Sequence, residues 1–180
     1  LISSWRVFPT PARCMTNIAL QLPSPVTPIF SPLLDSRKIE LFIKRDDLIH
    51  PVISGNKWRK LKYNLQQAQR EQQKCLLTFG GAWSNHIHAT AAAGHYFGFK
   101  TIGIIRGEAT AALSATLRDA QDWGMQLHFI DRELYRHKTD PDFIADLKHR
   151  FGEFYLLPEG GSNILAMQGC AEILSELEEA

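Results

Sequence analysis

A chain of 180 residues, 44% hydrophobic and 22% charged, can bury one domain-sized core, or one small domain plus part of another. Its formal net charge of +1 gives no electrostatic basis for nucleic acid or an anionic membrane as partner, and no apolar run reaches membrane-spanning length. Three scattered cysteines, Cys14, Cys75 and Cys170, argue for free thiols in a reducing, cytoplasmic setting and against a disulfide framework or a zinc site.

Residues 1–14 show no clear period, and no charged-then-apolar signal pattern opens the chain. The first residue is Leu1, and Met15 is a candidate true start. Ala180 falls inside an amphipathic helical pattern, so the sequence is expected to be a fragment.

Residues 15–37 contain four prolines and little periodicity, and read as an extended lead-in. Lys38 to Lys44 alternates apolar and polar residues, which predicts a strand with Ile39, Leu41 and Ile43 on one face. Arg45-Asp46-Asp47 ends it, the adjacent acids reading as turn formers rather than general bases. Gly55 gives backbone freedom before a helix running to about Gln73, with Ser54 or Asn56 as its cap. Four cations, Lys57, Arg59, Lys60 and Lys62, open that helix, and no acid occurs between Asp47 and Glu71. A helix start is the positive end of the dipole, so cations gathered there make sense if an anion is bound.

Strands and helices then alternate. Cys75 to Phe79 reads as a buried strand, followed by Gly80-Gly81 and a helix from Ser84 to about Phe97. Thr101 to Ile105 is a strand, followed by a helix from about Ala111 to Trp123 that Gly124 closes. Met125 to Ile130 is a strand; Asp140-Pro141 caps and opens a helix that Gly152 ends. Phe154 to Leu157 is the last strand, and Pro158 to Asn163 leads into a final helix. This alternation predicts an α/β fold, a parallel sheet with helices on both faces and ligands at the carboxyl ends of the strands.

Two loops at such ends stand out. Gly80-Gly81-Ala82-Trp83-Ser84-Asn85-His86 puts two glycines at a strand end and a serine at a helix cap, leaving the amides of Ser84, Asn85 and His86 open to a carboxylate or phosphate. The helix behind them carries Ala89, Ala91, Ala92, Ala93 and Gly94, which allow close packing against the sheet or a flat ligand. Glu159-Gly160-Gly161-Ser162-Asn163 repeats the glycine-then-cap pattern.

Several chemistries fail on residue type or spacing. Asn56 separates Gly55 from Lys57, so no Walker loop exists; no GxGxxG occurs. Ala82 and His86 occupy the glycine positions that a serine-hydrolase elbow at Ser84 would need. His86 and His88, two apart on a helix, diverge and make a poor zinc pair. What survives is a lysine-rich helix start near anion-ready loops. Lys57 and Lys60 share one helix side, so one amine could form a covalent imine while the other balances a phosphate. That pattern suits pyridoxal 5'-phosphate.

Lys44-Arg-Asp-Asp-Leu48, Ser54-Gly-Asn-Lys-Trp-Arg-Lys-Leu61, Gly80-Gly-x-x-Ser-Asn-His86 and Glu159-Gly-Gly-Ser-Asn163 together resemble the aminocyclopropane-carboxylate deaminase and D-cysteine desulfhydrase family of pyridoxal-phosphate enzymes. The resemblance covers about residues 23–180 and implies the tryptophan-synthase-β type of fold. It implies that Lys57 carries the cofactor as a Schiff base and moves a proton at the substrate carbon. Lys60 would contact the phosphate, and Asn85 the ring hydroxyl oxygen. Ser84, counted with Lys57 as catalytic, would hold the substrate carboxylate with the neighbouring amides, and Asn85 and His86 would complete the substrate pocket. Ser54 departs from the second glycine common in the family. Arg59 and Lys62 remain as solvated surface charges.

The resemblance further implies a large domain begun by residues 23–54 and resumed by 158–180, a small domain at about 55–157, and a homodimeric full-length parent acting on a small amino acid. The phosphate-cupping loop, the partner of the pyridine nitrogen and the substrate tyrosines of the family are expected beyond Ala180. The alternatives are a non-catalytic α/β domain that binds a small anion, or an inactive truncated product.

Overall fold

The computed structural model describes residues 18–109 and 112–178. Residues 1–17, Cys14 and Met15 among them, lie outside the described residues, as do Ala111 and Ala180. The lead-in is more structured than its prolines suggest. It forms a short strand β1 (Val26–Ile29) and a helix α1 (Pro32–Arg37), which starts at a Ser31 cap with proline at its first position. Strand β2 (Leu41–Lys44) pairs antiparallel with β1, apart from the main sheet. Of the three residues expected on one strand face, Leu41 and Ile43 lie in β2 and are exposed, and Ile39 precedes the strand.

The main sheet is parallel, in the order β5-β4-β3-β6. Its members are β3 (Cys75–Gly81), β4 (Lys100–Arg106), β5 (Gln126–Ile130) and β6 (Tyr155–Leu157). The connecting helices are α3 (Asn85–Phe97), α4 (Ala115–Asp122) and α5 (Pro141–Phe151); α2 (Lys57–Arg70) precedes the sheet and α6 (Ile164–Glu178) follows it. Alternate strand residues feed opposite layers. Leu77, Phe79, Ile102 and Ile104 pack with Leu147 of α5. Leu76 packs with Leu61 and Leu65 of α2 and Ala89, Ala92 and Ala93 of α3, and Ile105 with Ala91 and Leu117. The alanine-rich α3 lies close to the sheet: a Cβ at Gly94 would overlap the Thr101 side chain.

Helix α4 begins at Ala115, four residues later than its pattern suggests, because the Ser114 hydroxyl caps it by accepting from Leu117 N. Asp140 stands at the α5 cap position without capping; its carboxylate binds His137 Nδ1 at 2.7 Å.

Two corrections concern α2. Neither Ser54 nor Asn56 caps it through its side chain: the Ser54 hydroxyl donates to Asp47 O, and Asn56 Oδ1 accepts from Lys57 Nζ at 3.1 Å. Arg59 is not a solvated charge. It is 1% exposed, and its guanidinium makes paired contacts with Asp46 (Nε and Nη2, both 2.8 Å) and with Glu176 (2.9 and 3.0 Å). Lys44 Nζ joins Glu176 at 2.7 Å, and Ser24 Oγ donates to Asp46 Oδ1 at 2.7 Å. Asp46 is thus a buried-network acid and not only a turn former. Burial alone would raise its pKa, but hydrogen bonds from Arg59 and Ser24 leave it lowered overall. Lys62 is paired too, with Glu172 at 2.6 Å. Helix α6 crosses α2 at this point, where a Cβ at Gly169 would overlap the Arg59 carbonyl.

Candidate active site

Three segments converge on the carboxyl end of β3. The first is the start of α2, where Gly55 takes φ +62°, a left-handed turn that a side chain would strain, and swings the chain so that Lys57 begins the helix. The second is the start of α3. Ser84 caps it, its hydroxyl accepting from Ile87 N at 3.3 Å, but its own amide, expected to be open to an anion, donates to Gly81 O at 3.1 Å. The approach to that cap requires glycine: a Cβ at Gly80 would meet Ile87 Cγ1 at 2.5 Å and Ser84 Oγ at 2.8 Å. The third is the 3-10 turn Glu159–Gly161, where Gly160 and Gly161 both have positive φ.

Lys57 and Asn85, from different helices, line one polar cavity of about 370 Å3 together with Pro51, Val52, Ser54, Gly55, Asn56 and His88. Lys57 is half-buried, and burial followed by the charge of Lys60 lowers its pKa. Lys60 Nζ donates to Gly160 O at 3.2 Å and Ser162 Oγ at 3.0 Å; both partners are neutral. Lys60 also lines a second, apolar cavity of about 390 Å3 with Ser162, Asn163 and residues of α6. Ser84 lines neither cavity.

His86 points inward and is 2% exposed. Its Nε2 lies 2.8 Å from Thr78 Oγ1, which donates to Leu157 O at 2.9 Å. Its Nδ1 has no hydrogen-bond partner among the described residues, and its Cε1 would lie 3.0 Å from a Cβ at Gly161. Burial, then the charges of Lys57 and Lys60, push its pKa down to about 3 against a small opposing effect of the Pro158 carbonyl. His88 turns the other way, onto the Trp123 ring and Asp119.

Sequence reasoning passed over Asn64 and Thr78. Asn64, fully buried, donates to Lys60 O at 2.8 Å and accepts from Asn163 Nδ2 at 2.7 Å and the Tyr155 hydroxyl at 3.0 Å. Asn163 Oδ1 in turn accepts from Ala166 N and caps α6. The glycine turn is thereby fastened to the helix that carries both lysines. The available signal was an asparagine on the apolar side of α2, between Leu61 and Leu65.

No family model matches the chain. An Arabidopsis thaliana protein named a bifunctional D-cysteine desulfhydrase/1-aminocyclopropane-1-carboxylate deaminase, mitochondrial, is 32% identical over 98% of this chain and 46% of its own length. A D-cysteine desulfhydrase of Salmonella paratyphi B is 29% identical over 78% of the chain and 44% of its own length. Among solved structures, an ACC deaminase homologue superposes with a TM-score of 0.74 at 25% identity, over 89% of this chain and 49% of the other. Escherichia coli diaminopropionate ammonia lyase, solved with an aminoacrylate–PLP intermediate, reaches 0.63 at 14% identity over 90% and 44%, a likeness of fold alone.

The fold is therefore that of the tryptophan-synthase-β type of pyridoxal-phosphate enzymes. The chain belongs to the aminocyclopropane-carboxylate deaminase and D-cysteine desulfhydrase family. It spans about half the length of the curated relatives it matches.

Proposed function

We propose that this chain carries the lysine half of a pyridoxal-phosphate site, in an enzyme that removes ammonia, and in the desulfhydrase case sulfide, from a small amino acid. The supporting observation is that Lys57, with its lowered pKa, and Asn85 open into one cavity from separate helices.

The residues present fit the cofactor. Lys60 has only neutral partners among the described residues, so its charge awaits an anion. His86 offers an unpartnered, buried Nδ1 beside the two lysines. When bound, pyridoxal phosphate supplies an aldehyde for a lysine amine and a ring that withdraws electrons from the substrate carbon. Lys57 is the covalent anchor, and burial beside Lys60 favours the neutral amine that such bonding and proton transfer need. Lys60 holds the phosphate, and Asn85 orients the ring through its hydroxyl oxygen. Ser84 keeps the start of α3 wound, so that the amides of Asn85 and His86 and the positive dipole end receive the substrate carboxylate. His86, neutral throughout the physiological range, shapes the substrate pocket without adding charge.

In this reading residues 55–157 form the small domain, and 23–54 with 158–180 begin the large one. Ile164 and Met167 of α6, 74% and 68% exposed, and the apolar residues of β2 support packing against the half of the relatives' length that this chain does not span. The full-length parent is proposed as a homodimer. Cys75 and Cys170 are unpaired, which supports a reducing compartment such as the cytoplasm. No helix among the described residues is long and apolar enough to cross a membrane.

Lys57→Ala in the full-length parent tests the reading. The visible absorbance of lysine-bound cofactor is expected to vanish, and an unchanged spectrum would refute the assignment.

A further inference from the structure

A second cavity at the carboxyl edge of the sheet shares no lining residue with the Lys57 cavity. It measures about 380 Å3 and is lined by Arg106, Arg132, Tyr135, Arg136 and Lys138. Arg106 ends β4, and the other four follow β5, so the cavity sits where two adjacent parallel strands finish. Ligands of open α/β sheets bind at such ends.

Four cations line this cavity, and two of them lie over one aromatic ring. The Arg106 guanidinium and Lys138 ammonium lie 5.6 and 5.0 Å from the centroid of Tyr135. Lys138 has a long contact with Glu159 at 3.4 Å, while Arg106, Arg132 and Arg136 have no carboxylate partner among the described residues. Two acids flank Arg132 in sequence: the Asp131 carboxylate is committed to capping, accepting from Leu134 N at 2.7 Å, and Glu133 forms no ion pair with these cations among the described residues. Gathering like charges is unfavourable unless a counter-anion is held between them. Tyr135 also lines the cavity: it is 3% exposed, and its buried hydroxyl faces the Glu159 carboxylate without a hydrogen bond of normal geometry. Burial, then Glu159, raises its pKa, which keeps the hydroxyl protonated.

We propose that this cavity binds a small ligand through a phosphate or diphosphate group. Guanidinium forks match phosphate oxygens two at a time, and the Tyr135 hydroxyl supplies the buried hydrogen bond. The volume lies at the lower end of small-molecule sites and admits one or two phosphates with a compact substituent rather than a polymer. Arg106 also touches the lysine site's frame, since its Nη2 would lie 3.7 Å from a Cβ at Gly81. An occupant therefore sits one side chain from the glycine loop ahead of Ser84.

Calorimetric titration of the protein with pyrophosphate tests this, using the wild type, the Arg132→Glu/Arg136→Glu pair, Tyr135→Phe and Lys60→Ala. Saturable binding is expected in the wild type, weakened at least tenfold by the arginine pair and about threefold by Tyr135→Phe, and changed less than twofold by Lys60→Ala. Both arginines are exposed, so the paired variant should retain its circular dichroism. If it does not, the single Arg132→Gln replaces it, with an expected fivefold weakening. Absence of saturable binding, an arginine variant that binds as the wild type does, or binding lost in Lys60→Ala would each overturn the proposal. The last outcome would mean that pyrophosphate merely fills the place assigned to the cofactor phosphate. Because Lys57 plays no part in this titration, the cofactor reading can fail while this one stands, and the reverse.

Discussion

The guanidinium of Arg59 and the carboxylate of Glu176 meet through hydrogen bonds of 2.9 and 3.0 Å across 117 positions of sequence. Asp46 grips the other edge of the same guanidinium, so one side chain joins the first turn of α2, the end of α6 and the turn after β2. Lys57 and Lys60 flank Arg59 on that turn, and their placement depends on it.

Removing Arg59 should therefore cost far more than removing a surface charge. Arg59→Met strands Asp46 and Glu176 with only Lys44 and Ser24 to answer them, and should destabilise the fold by about 3–5 kcal/mol. Arg59→Lys keeps the charge but loses the fork, and should cost about 1–3 kcal/mol. Urea unfolding of both variants checks this, and a loss below about 0.5 kcal/mol for Arg59→Met, the range of an ordinary surface substitution, would contradict the network.

Stability should fall with acidification in two stages. Burial, with Lys57 and Lys60, holds His86 at about 3, below its ordinary 6.5. Hydrogen bonds from Arg59 hold Glu176 at about 2, below 4.5. Between each pair of values the unfolded chain binds more protons than the folded one. The contribution is thus complete above the unfolded value and lost as pH drops towards the folded one. Unfolding midpoints measured from pH 8 to pH 3 should decline below 6.5 and more steeply below 4.5. His86→Gln should shrink the first stage, leaving the share of His50 and His128, which burial also lowers, and should leave the second unchanged.

Gly169→Ala separates packing from helix propensity. Alanine is better than glycine in a helix by about 1 kcal/mol, so propensity alone predicts a stabilised α6. A Cβ there, however, overlaps the Arg59 carbonyl, a backbone atom that cannot rotate aside. Overpacking of this kind costs about 1–3 kcal/mol, and calorimetry should show a lowered melting temperature. An increase would mean that α2 and α6 can move apart freely.

Asn64→Leu should loosen the glycine turn. The Tyr155 hydroxyl and the Asn163 amide would lose their buried partner, at about 1–3 kcal/mol for each unsatisfied group. Amide exchange across residues 159–166 should accelerate about tenfold or more, since each 1.4 kcal/mol is a factor of ten. Unchanged exchange would show that the turn holds itself.

The parallel core was legible because its signals are local. Short apolar runs such as Cys75 to Phe79, the Ser84 cap, and Gly124 and Gly152 after their helices mark boundaries within a residue or two. Lys57 and Asn85 stood out for the same reason, each at a helix start beside glycine. Arg59 was misread because its acids lie 13 and 117 positions away, while its neighbours in sequence are cations. Strand β1 was hidden by Pro28 within it, and its apolar partner β2 buries neither face. The Tyr135 cavity takes its residues from a strand end and an irregular segment, which no periodicity joins.

We place the covalent anchor of the cofactor at Lys57. Borohydride reduction of the cofactor-loaded protein, followed by peptide mass spectrometry, tests it most directly. A single pyridoxyl adduct on Lys57 is the predicted result. An adduct on Lys60 or Lys62 instead, or none on any lysine of α2, would contradict it and leave a domain that holds a small anion without covalent chemistry.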